Sequence, residues 1–370
     1  MKKYFLTLLT LTLSALAFSQ QSNYNLLIGT YTSGGKSEGI YAYNFNTQTA
    51  KTKLKTVTKG VENPSYLAIS PDGKFAYAVN ETGNASSVSA FKYNPVSGAL
   101  IFLNKVNSEG NDPCYITVDD KNVIVANYSG GSLAVFNRKA DGSITDAVQV
   151  IKHSGKSIDP KGRQESAHVH MTKFTPDHQY LISNDLGEDQ VYIYKYNPAN
   201  KTDILSLKNV LKTNAGTGPR HITFSPNGKF AYLAHEFNGS VTAFSYSSGS
   251  LKKIQEIGTV AKNFEGKIDG ADIHVSADGK FLYESNRGDA NTITVFSISP
   301  KGLLKLVERV STLGKGPRNF SIDPSGRFLL VAHQYTDEVV IFNRNKLTGR
   351  LTDSGERIKV GAPVCLVFTR

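Results

Sequence analysis

The sequence has 370 residues, with 42 lysines and arginines against 31 aspartates and glutamates, and a formal net charge of +11. Its two cysteines cannot make a disulfide framework, and they lie on separate predicted strands, so we expect two buried thiols. Many lysines follow glycine in turns such as "DGK" and "NGK", and no basic cluster carries interleaved aromatics. We therefore interpret the charge as a solvated basic surface and expect no nucleic-acid partner.

The N-terminal segment "MKKYFLTLLTLTLSALAFSQ" has two lysines, a short apolar core and small residues near its end. This pattern predicts a secretory signal peptide over residues 1–20, with cleavage near Gln20 or Gln21. The apolar core is too short for a transmembrane anchor, and no later segment could span a bilayer. We expect residues 21–370 to form a periplasmic or secreted mature chain.

A turn-centred unit recurs along the mature chain. Turns such as "SPDG" and "SPNG" separate two runs rich in β-branched and aromatic residues, which indicates an antiparallel strand pair. A third strand, such as "GSVTAFSY", and a weaker fourth strand follow. The units begin at Asn63, Asp112, Ala167, Gly218, Gly270 and Gly316. A spacing of about 50 residues predicts the four-stranded blades of an all-β propeller.

The two ends of the mature chain supply a seventh blade. "NYNLLIGTYT" and "GIYAYNFNTQ" look like second and third strands that lack a first, and "GAPVCLVFTR" looks like a first strand with nothing after it. Pairing them closes the ring and leaves no open sheet edge between the first and last blades. The sequence thus predicts a single seven-bladed β-propeller domain over residues 21–370, closed by the C-terminal strand.

Polar residues gather where first strands begin and second strands end. Because the strands are antiparallel, these two positions meet on one face of the ring near its axis. In "GPRHITFSPNGKFAYLAHE" they hold Arg220, His221, His235 and Glu236. We interpret the repeated asparagines at these positions as side chains that cap turns. The charged residues indicate either a structural ion-pair network or a ligand site. The opposite face carries mainly turn residues.

The segment "HVH" adds two candidates, because alternation places His168 and His170 on one strand face. With Asp185 or Glu236 they could hold zinc, but no complete ligand set is specified, so we expect no metal. A long insert, "KHSGKSIDPKGRQESA", precedes this strand on the same face. Inserts of that length are typically functional or disordered, so we expect it to rim a pocket.

The motifs "RQESAHVH", "GPRHITFSPNGKFAYLAHE", "IHVSADGKFLYESNRG" and "GPRNFSIDPSGRFLLVAHQ" together resemble the seven-bladed propeller lactonase family. That family includes the propeller type of 6-phosphogluconolactonase and the carboxy-cis,cis-muconate cyclase. The cyclase branch of that family uses a histidine, two arginines and a glutamate in its axial cleft, so the resemblance implies the same set here. On this sequence the arginines and the glutamate correspond to Arg220, Arg287 and Glu236, and the histidine to His168 or His170. This chain has "HVH" and "HE" where relatives more often have "HPH" and "NE".

The resemblance implies a lactone hydrolase, for which we expect a small-molecule lactone substrate, no cofactor and a monomeric chain. Glu236 or His170 is the candidate general base, and Arg220 or Arg287 would face the oxyanion. The predicted substrate-binding residues are His168, His221, His235, Asp185, Asn286, Arg318, Arg163 and Gln164. The alternative is a non-catalytic propeller that binds a ligand or protein partner outside the cytoplasm.

Overall fold

The structure, a computed structural model, describes residues 22–158 and 162–370. These residues form seven four-stranded antiparallel sheets, the blades of a propeller, which confirms the predicted fold class and blade count. The signal peptide predicted over residues 1–20 lies outside the described residues. In the described ranges, no helix is long and apolar enough to cross a membrane.

The strands follow the chain order within each blade, from the axis outward in blades II to VII. Blade I contains β1 (Asn23–Thr30), β2 (Gly39–Asn46) and β3 (Thr52–Lys59). Blade II contains β4 (Leu67–Ile69), β5 (Phe75–Asn80), β6 (Ser87–Tyr93) and β7 (Leu100–Asn107). Blade III contains β8 (Pro113–Val118), β9 (Asn122–Asn127), β10 (Ser132–Arg138) and β11 (Ile144–Lys152). Blade IV contains β12 (Val169–Phe174), β13 (Tyr180–Asp185), β14 (Gln190–Tyr196) and β15 (Leu205–Lys212).

The remaining blades repeat the pattern, and a short 3₁₀ helix, Gly83–Ala85, follows β5. Blade V contains β16 (Pro219–Phe224), β17 (Phe230–His235), β18 (Ser240–Ser247) and β19 (Ser250–Gly258). Blade VI contains β20 (Gly270–Val275), β21 (Phe281–Asn286), β22 (Thr292–Ile298) and β23 (Leu304–Ser311). Blade VII contains β24 (Pro317–Ile322), β25 (Phe328–His333), β26 (Glu338–Arg344) and β27 (Leu351–Lys359). The last strand, β28 (Pro363–Thr369), joins blade I.

The predicted closure is confirmed, because β28 pairs antiparallel with β1 and completes blade I as its innermost strand. Leu366 and Phe368 on β28 pack in the cluster shared with blade VII, where Phe368 meets Phe45 at 5.2 Å between ring centroids. Cys365 packs on the opposite side, in the cluster shared with blade II. The C-terminal strand therefore contributes to two blade interfaces at once.

The aromatic residues of the "GKFAY" repeat tie neighbouring blades together. Tyr77 is fully buried and donates a hydrogen bond to the carbonyl of Gly142 in the next blade at 2.9 Å. A Cβ on Gly142 would lie 2.0 Å from the Phe75 ring, and its φ is +87°, so this turn requires glycine. Equivalent pairs are Tyr232 with Gly302 and Tyr283 with Gly349. These contacts fill the blade interfaces of a chain that has no tryptophan.

Register slips in the inner strands explain how side chains reach the axis. In each of β8, β12, β16 and β24, one residue has no partner in the pairing with the second strand of the blade, while the residues on either side of it pair with consecutive residues of that strand. Such an unpaired extra residue is a β-bulge. These residues are Cys114, His170, Arg220 and Arg318. Bulges re-aim a side chain and accept proline, and a proline precedes three of the four. The bulges thus position the inner layer of the candidate site.

Candidate active site

A polar cavity of about 290 Å³ opens at the end of the ring where the second strands finish. Its walls combine bulge residues of the inner strands with residues that directly follow the second strands. The lining residues are Tyr31, Glu81, Cys114, Tyr128, Arg163, His170, Glu236, Lys267, Asp269, Arg287, Arg318 and Tyr335. The cavity thus lies on the face that the sequence predicted to be chemically dense.

Three arginines hold Glu236 in place. Glu236 Oε2 accepts from Arg220 Nε at 2.8 Å and lies 3.1 Å from Arg287 Nη2. Glu236 Oε1 accepts from Arg163 Nη1 at 2.5 Å. Burial alone raises the pKa of Glu236, but the three guanidinium groups outweigh burial and hold that pKa well below its usual range. Glu236 is therefore an anion with both oxygens engaged.

Two of these arginines have further acceptors. Arg220 is 1% exposed and donates from Nη1 to the carbonyl of Ala271 at 2.6 Å, and burial lowers the pKa of Arg220 to about 10. Arg287 Nη2 also lies 3.0 Å from Asp269 Oδ1, so two carboxylates share one guanidinium. Burial raises the pKa of Asp269. Arg220 is thus a buried scaffold for Glu236, whereas Arg287 lines the cavity.

Arg163 reaches the cavity from the long insert, as predicted for a loop on this rim. Its Nε and Nη2 donate to the Tyr128 hydroxyl at 3.0 and 2.6 Å. His168 stacks on the Tyr128 ring with 4.5 Å between centroids, and His170 meets the same ring edge-on at 5.4 Å. His170 lines the cavity, whereas His168 supports Tyr128 from behind.

The bulge neighbours His170 and Cys114 form a weakly polar wall. His170 Nδ1 lies 3.7 Å from Cys114 Sγ. Burial, reinforced by Arg220 and His221, lowers the pKa of His170 well below its usual value, so the imidazole is neutral at pH 7. Burial raises the pKa of the Cys114 thiol, which makes it a poor nucleophile. Both cysteines are free and buried, as the sequence predicted.

The opposite wall carries a second carboxylate and another arginine. The Tyr31 hydroxyl donates to Glu81 Oε2 at 2.8 Å. The Arg318 guanidinium lies over the Tyr31 ring, 5.6 Å from its centroid. Among the described residues, Arg318 makes no ion pair or hydrogen bond to a carboxylate, and Glu81 Oε1 has no donor. This wall therefore presents one uncommitted cation and one uncommitted carboxylate oxygen.

Beneath the cavity, His221 belongs to a buried network rather than to the wall. Its Nδ1 lies 2.9 Å from Asp272 Oδ1, and Asp272 Oδ2 pairs with His274 at 2.9 Å and accepts from Asn319 at 2.6 Å. Burial lowers the pKa of His221 to about 4. Burial raises the pKa of Asp272, but the two histidines outweigh it and hold that pKa well below its usual range. The network supports the floor under Arg220.

Besides His168 and His221, four more predicted substrate-binding residues lie away from the cavity wall. His235 bonds Thr242 across blade V at 2.8 Å, and Asn286 accepts from the Asp269 amide at 3.2 Å. Asp185 accepts from three backbone amides, those of His168, Gly187 and Glu188. Gln164 is buried and donates to the Leu186 carbonyl at 2.9 Å. For these four, the geometry supports a structural role.

Among the described residues, one group of three side chains is close enough to hold a metal ion, and it consists of His153, Asp185 and Glu188. His168 and His170 do not belong to this group. His153 Nδ1 contacts Asp185 at 2.7 Å, and its Nε2 contacts the Tyr194 hydroxyl at 2.8 Å. Glu188 accepts from the Gly155 amide and the Tyr192 hydroxyl. These contacts form a hydrogen-bond network that anchors the start of the long insert.

The sequence analysis assigned none of these seven cavity-lining residues to the site: Tyr31, Glu81, Cys114, Tyr128, Lys267, Asp269 and Tyr335. A signal for Tyr31 existed, because "GTYT" ends the second strand of the closing blade and the same positional rule applies there. Lys267 and Asp269 lie in the insert "VAKNFEGKID", which precedes blade VI on the same side.

The fold and the cavity place the chain among seven-bladed propellers with a polar, arginine-rich site, and comparisons with known proteins specify the family. Residues 25–368 match the family described as lactonase, 7-bladed β-propeller. The 6-phosphogluconolactonase of Bacillus subtilis is 38% identical over 346 residues, which cover 92% of this chain and 97% of that protein. The chain therefore belongs to the seven-bladed β-propeller lactonase family.

Solved structures agree. A protein from Bacteroides fragilis is 42% identical, with a TM-score of 0.90 and coverage of 95% of this chain and 99% of that one. The periplasmic gluconolactonase of Pseudomonas aeruginosa is 38% identical, with a TM-score of 0.90 and coverage of 94% and 99%.

Proposed function

We propose that this chain hydrolyses a sugar aldonolactone in the axial cavity, outside the cytoplasm. The observation that carries the proposal is the wall formed by Tyr31, Glu81 and Arg318, where an uncommitted cation and an uncommitted carboxylate oxygen flank one phenol. Hydrolysis of a cyclic ester needs a water made nucleophilic and a cation or donor for the developing oxyanion. This wall supplies a carboxylate oxygen to accept the proton of the water and a guanidinium to face the oxyanion, within one cavity of about 290 Å³.

The roles divide between the two sides of the cavity. Arg318 would face the lactone carbonyl, because its donors have no competing carboxylate. Arg287 and Arg163, fixed by Glu236, would hold ring hydroxyls of the substrate. This assignment moves the oxyanion contact from Arg220 or Arg287 to Arg318, since Arg220 is 1% exposed and turned to Glu236 and Ala271.

The charge of the lining favours an unphosphorylated lactone. The cavity wall carries the cations Arg163, Lys267, Arg287 and Arg318 against the carboxylates Glu81, Glu236 and Asp269. Most of the positive charge is therefore compensated, which leaves little attraction for a phosphate dianion. The Bacillus subtilis relative is named for a phosphorylated sugar lactone, and the Pseudomonas aeruginosa structure is named for gluconolactone. Both names support a sugar lactone as the substrate class.

Export is the second part of the proposal. The segment over residues 1–20 has the basic, apolar and small-residue order of a signal peptide, and the Pseudomonas aeruginosa neighbour is named as periplasmic. Fractionation of cells expressing the full chain, followed by N-terminal sequencing, is expected to find a periplasmic or secreted protein that begins near Gln21. A full-length protein with Met1 in the cytosolic fraction would contradict export.

Acid release in a pH-stat tests the activity. The panel contains glucono-1,5-lactone, galactono-1,4-lactone and 6-phosphoglucono-1,5-lactone, each measured against its spontaneous hydrolysis. We expect the purified mature chain to accelerate at least one unphosphorylated aldonolactone more strongly than the phosphorylated lactone. No acceleration across the panel would contradict the proposal and favour a ligand-binding propeller.

A further inference from the structure

The cavity contains two glutamates whose hydrogen bonding differs. Both oxygens of Glu236 are occupied by arginines, at 2.5 Å from Arg163 Nη1 and 2.8 Å from Arg220 Nε. Glu81 accepts from Tyr31 through Oε2, and among the described residues nothing donates to its Oε1. A general base needs an oxygen that can approach the attacking water. We propose that Glu81 is the general base of the lactone hydrolysis proposed above, and that Tyr31 positions it.

The backbone holds Glu81 and Tyr31 in fixed relation. Asn63, which adopts a positive φ of 38°, accepts from the amides of Thr32 and Ser33 at 2.8 and 3.0 Å. The same side chain donates to the Glu81 carbonyl at 2.9 Å, and the Glu81 amide donates to the Asn63 carbonyl at 3.2 Å. One asparagine therefore clamps the residues that follow β1 to the residue that follows β5. A base held this way is preorganised for proton transfer.

Arg318 completes the geometry, because the Tyr31 ring lies under its guanidinium while the Tyr31 hydroxyl points to Glu81. A carbonyl that faces Arg318 therefore lies near the water that faces Glu81. Burial raises the pKa of Tyr31, and Glu81 adds to that effect while Arg318 opposes it. Tyr31 thus remains a phenol that donates its hydrogen bond at neutral pH.

The proton and electron movements balance without a co-reactant. Glu81 Oε1 takes a proton from water as the water oxygen forms a bond to the lactone carbonyl carbon. The carbonyl π pair moves to the oxygen, which faces Arg318. When this intermediate collapses, the bond between the carbonyl carbon and the ring oxygen breaks, and the ring oxygen takes the proton back from Glu81. The product hydroxy acid then ionises and releases one proton to solvent.

The other two candidate bases are less suited. The three arginines stabilise the Glu236 anion so strongly that it has little affinity for a proton. His170 is neutral, but its lowered pKa makes it a weak base, and its Nδ1 faces Cys114 Sγ at 3.7 Å. Glu236 is then a positioning residue for Arg163 and Arg287.

The first test compares Glu81→Gln with Glu62→Gln, an exposed glutamate of the segment that leads to the same blade. Substrate is the lactone of the panel that the wild type hydrolyses fastest, followed in a pH-stat. We expect Glu81→Gln to lower kcat at least a hundredfold with KM within threefold of wild type, and Glu62→Gln to leave both unchanged. An active wild type with Glu81→Gln within threefold in kcat would overturn this inference alone. A wild type inactive on the whole panel would overturn the proposed function with it.

The second test is the kinetics of Tyr31→Phe, which decides the matter even if Glu81→Gln does not fold. Loss of the phenol hydroxyl removes the hydrogen bond that orients Glu81 Oε2, so kcat should fall at least about tenfold while KM stays within threefold of wild type. A Tyr31→Phe variant that keeps kcat within threefold of wild type would overturn the inference.

Discussion

Glu236→Gln should destabilise the fold, because Glu236 neutralises a buried arginine. Glu236 and Arg220 are each 1% exposed, and the substitution leaves the Arg220 charge without a carboxylate. Removing one partner of a buried ion pair typically costs about 3–5 kcal/mol, a large fraction of a domain's stability. Glu356→Gln is the matched control, since its partner Lys51 is 71% exposed and such surface pairs contribute about 0–1 kcal/mol.

The assay is urea unfolding at pH 7, followed by tyrosine fluorescence, with the free energy of unfolding compared across the two variants and wild type. The effect should depend on pH with a defined sign. The pKa of Glu236 in the folded protein lies well below its ordinary value of 4.5, so its contribution is complete above about pH 4.5 and is lost as the pH falls further. Wild type and Glu236→Gln should therefore converge in acid. A Glu236→Gln variant within 1 kcal/mol of wild type at pH 7 would refute the reasoning.

Three further predictions concern closure, thiols and metal. Leu366 on β28 is 5% exposed, so Leu366→Ala should lower the free energy of unfolding by about 2–5 kcal/mol. Leu347→Ala, at a side chain that is 85% exposed, should leave that free energy unchanged. Equal effects of the two substitutions in urea unfolding would contradict closure by β28. Cys114 and Cys365 should react with a thiol reagent only after denaturation, because burial raises the pKa of both; rapid labelling of the native protein would count against the packing. Lactone hydrolysis should survive exhaustive dialysis against EDTA, and a loss reversed by added zinc would point to a metal.

The fold was readable from the sequence because each blade repeats the same local signals. Turn chemistry, strand propensity and spacing all indicated the same four-stranded blade in every unit. The strands at the two ends of the chain, which contain Leu27 and Cys365, had no partners within their own units, so they were predicted to share one blade. The polar face was also predictable, since antiparallel pairing fixes which strand ends meet. What these rules determine is the end of the ring at which a residue lies.

The rules do not determine which polar side chain reaches the cavity. His235 and Glu236 are consecutive, yet His235 bonds Thr242 within blade V while Glu236 enters the cavity, because one step along a strand reverses the direction of the side chain. Arg220 and Arg318 occupy equivalent bulges, yet Arg220 is tied to Glu236 and Arg318 is not. These differences depend on neighbours from other blades, which no local pattern contains.

The most direct test of the account is the turnover of Arg318→Met on the aldonolactone that the wild type hydrolyses fastest. Methionine keeps much of the apolar stem and its contact with the Tyr31 ring, but removes the donors that face the oxyanion. Loss of such a donor costs about 10²–10³ in kcat. We predict a fall of that size, with the melting temperature retained. A folded Arg318→Met variant that turns over within threefold of wild type would contradict catalysis at this wall of the axial cavity.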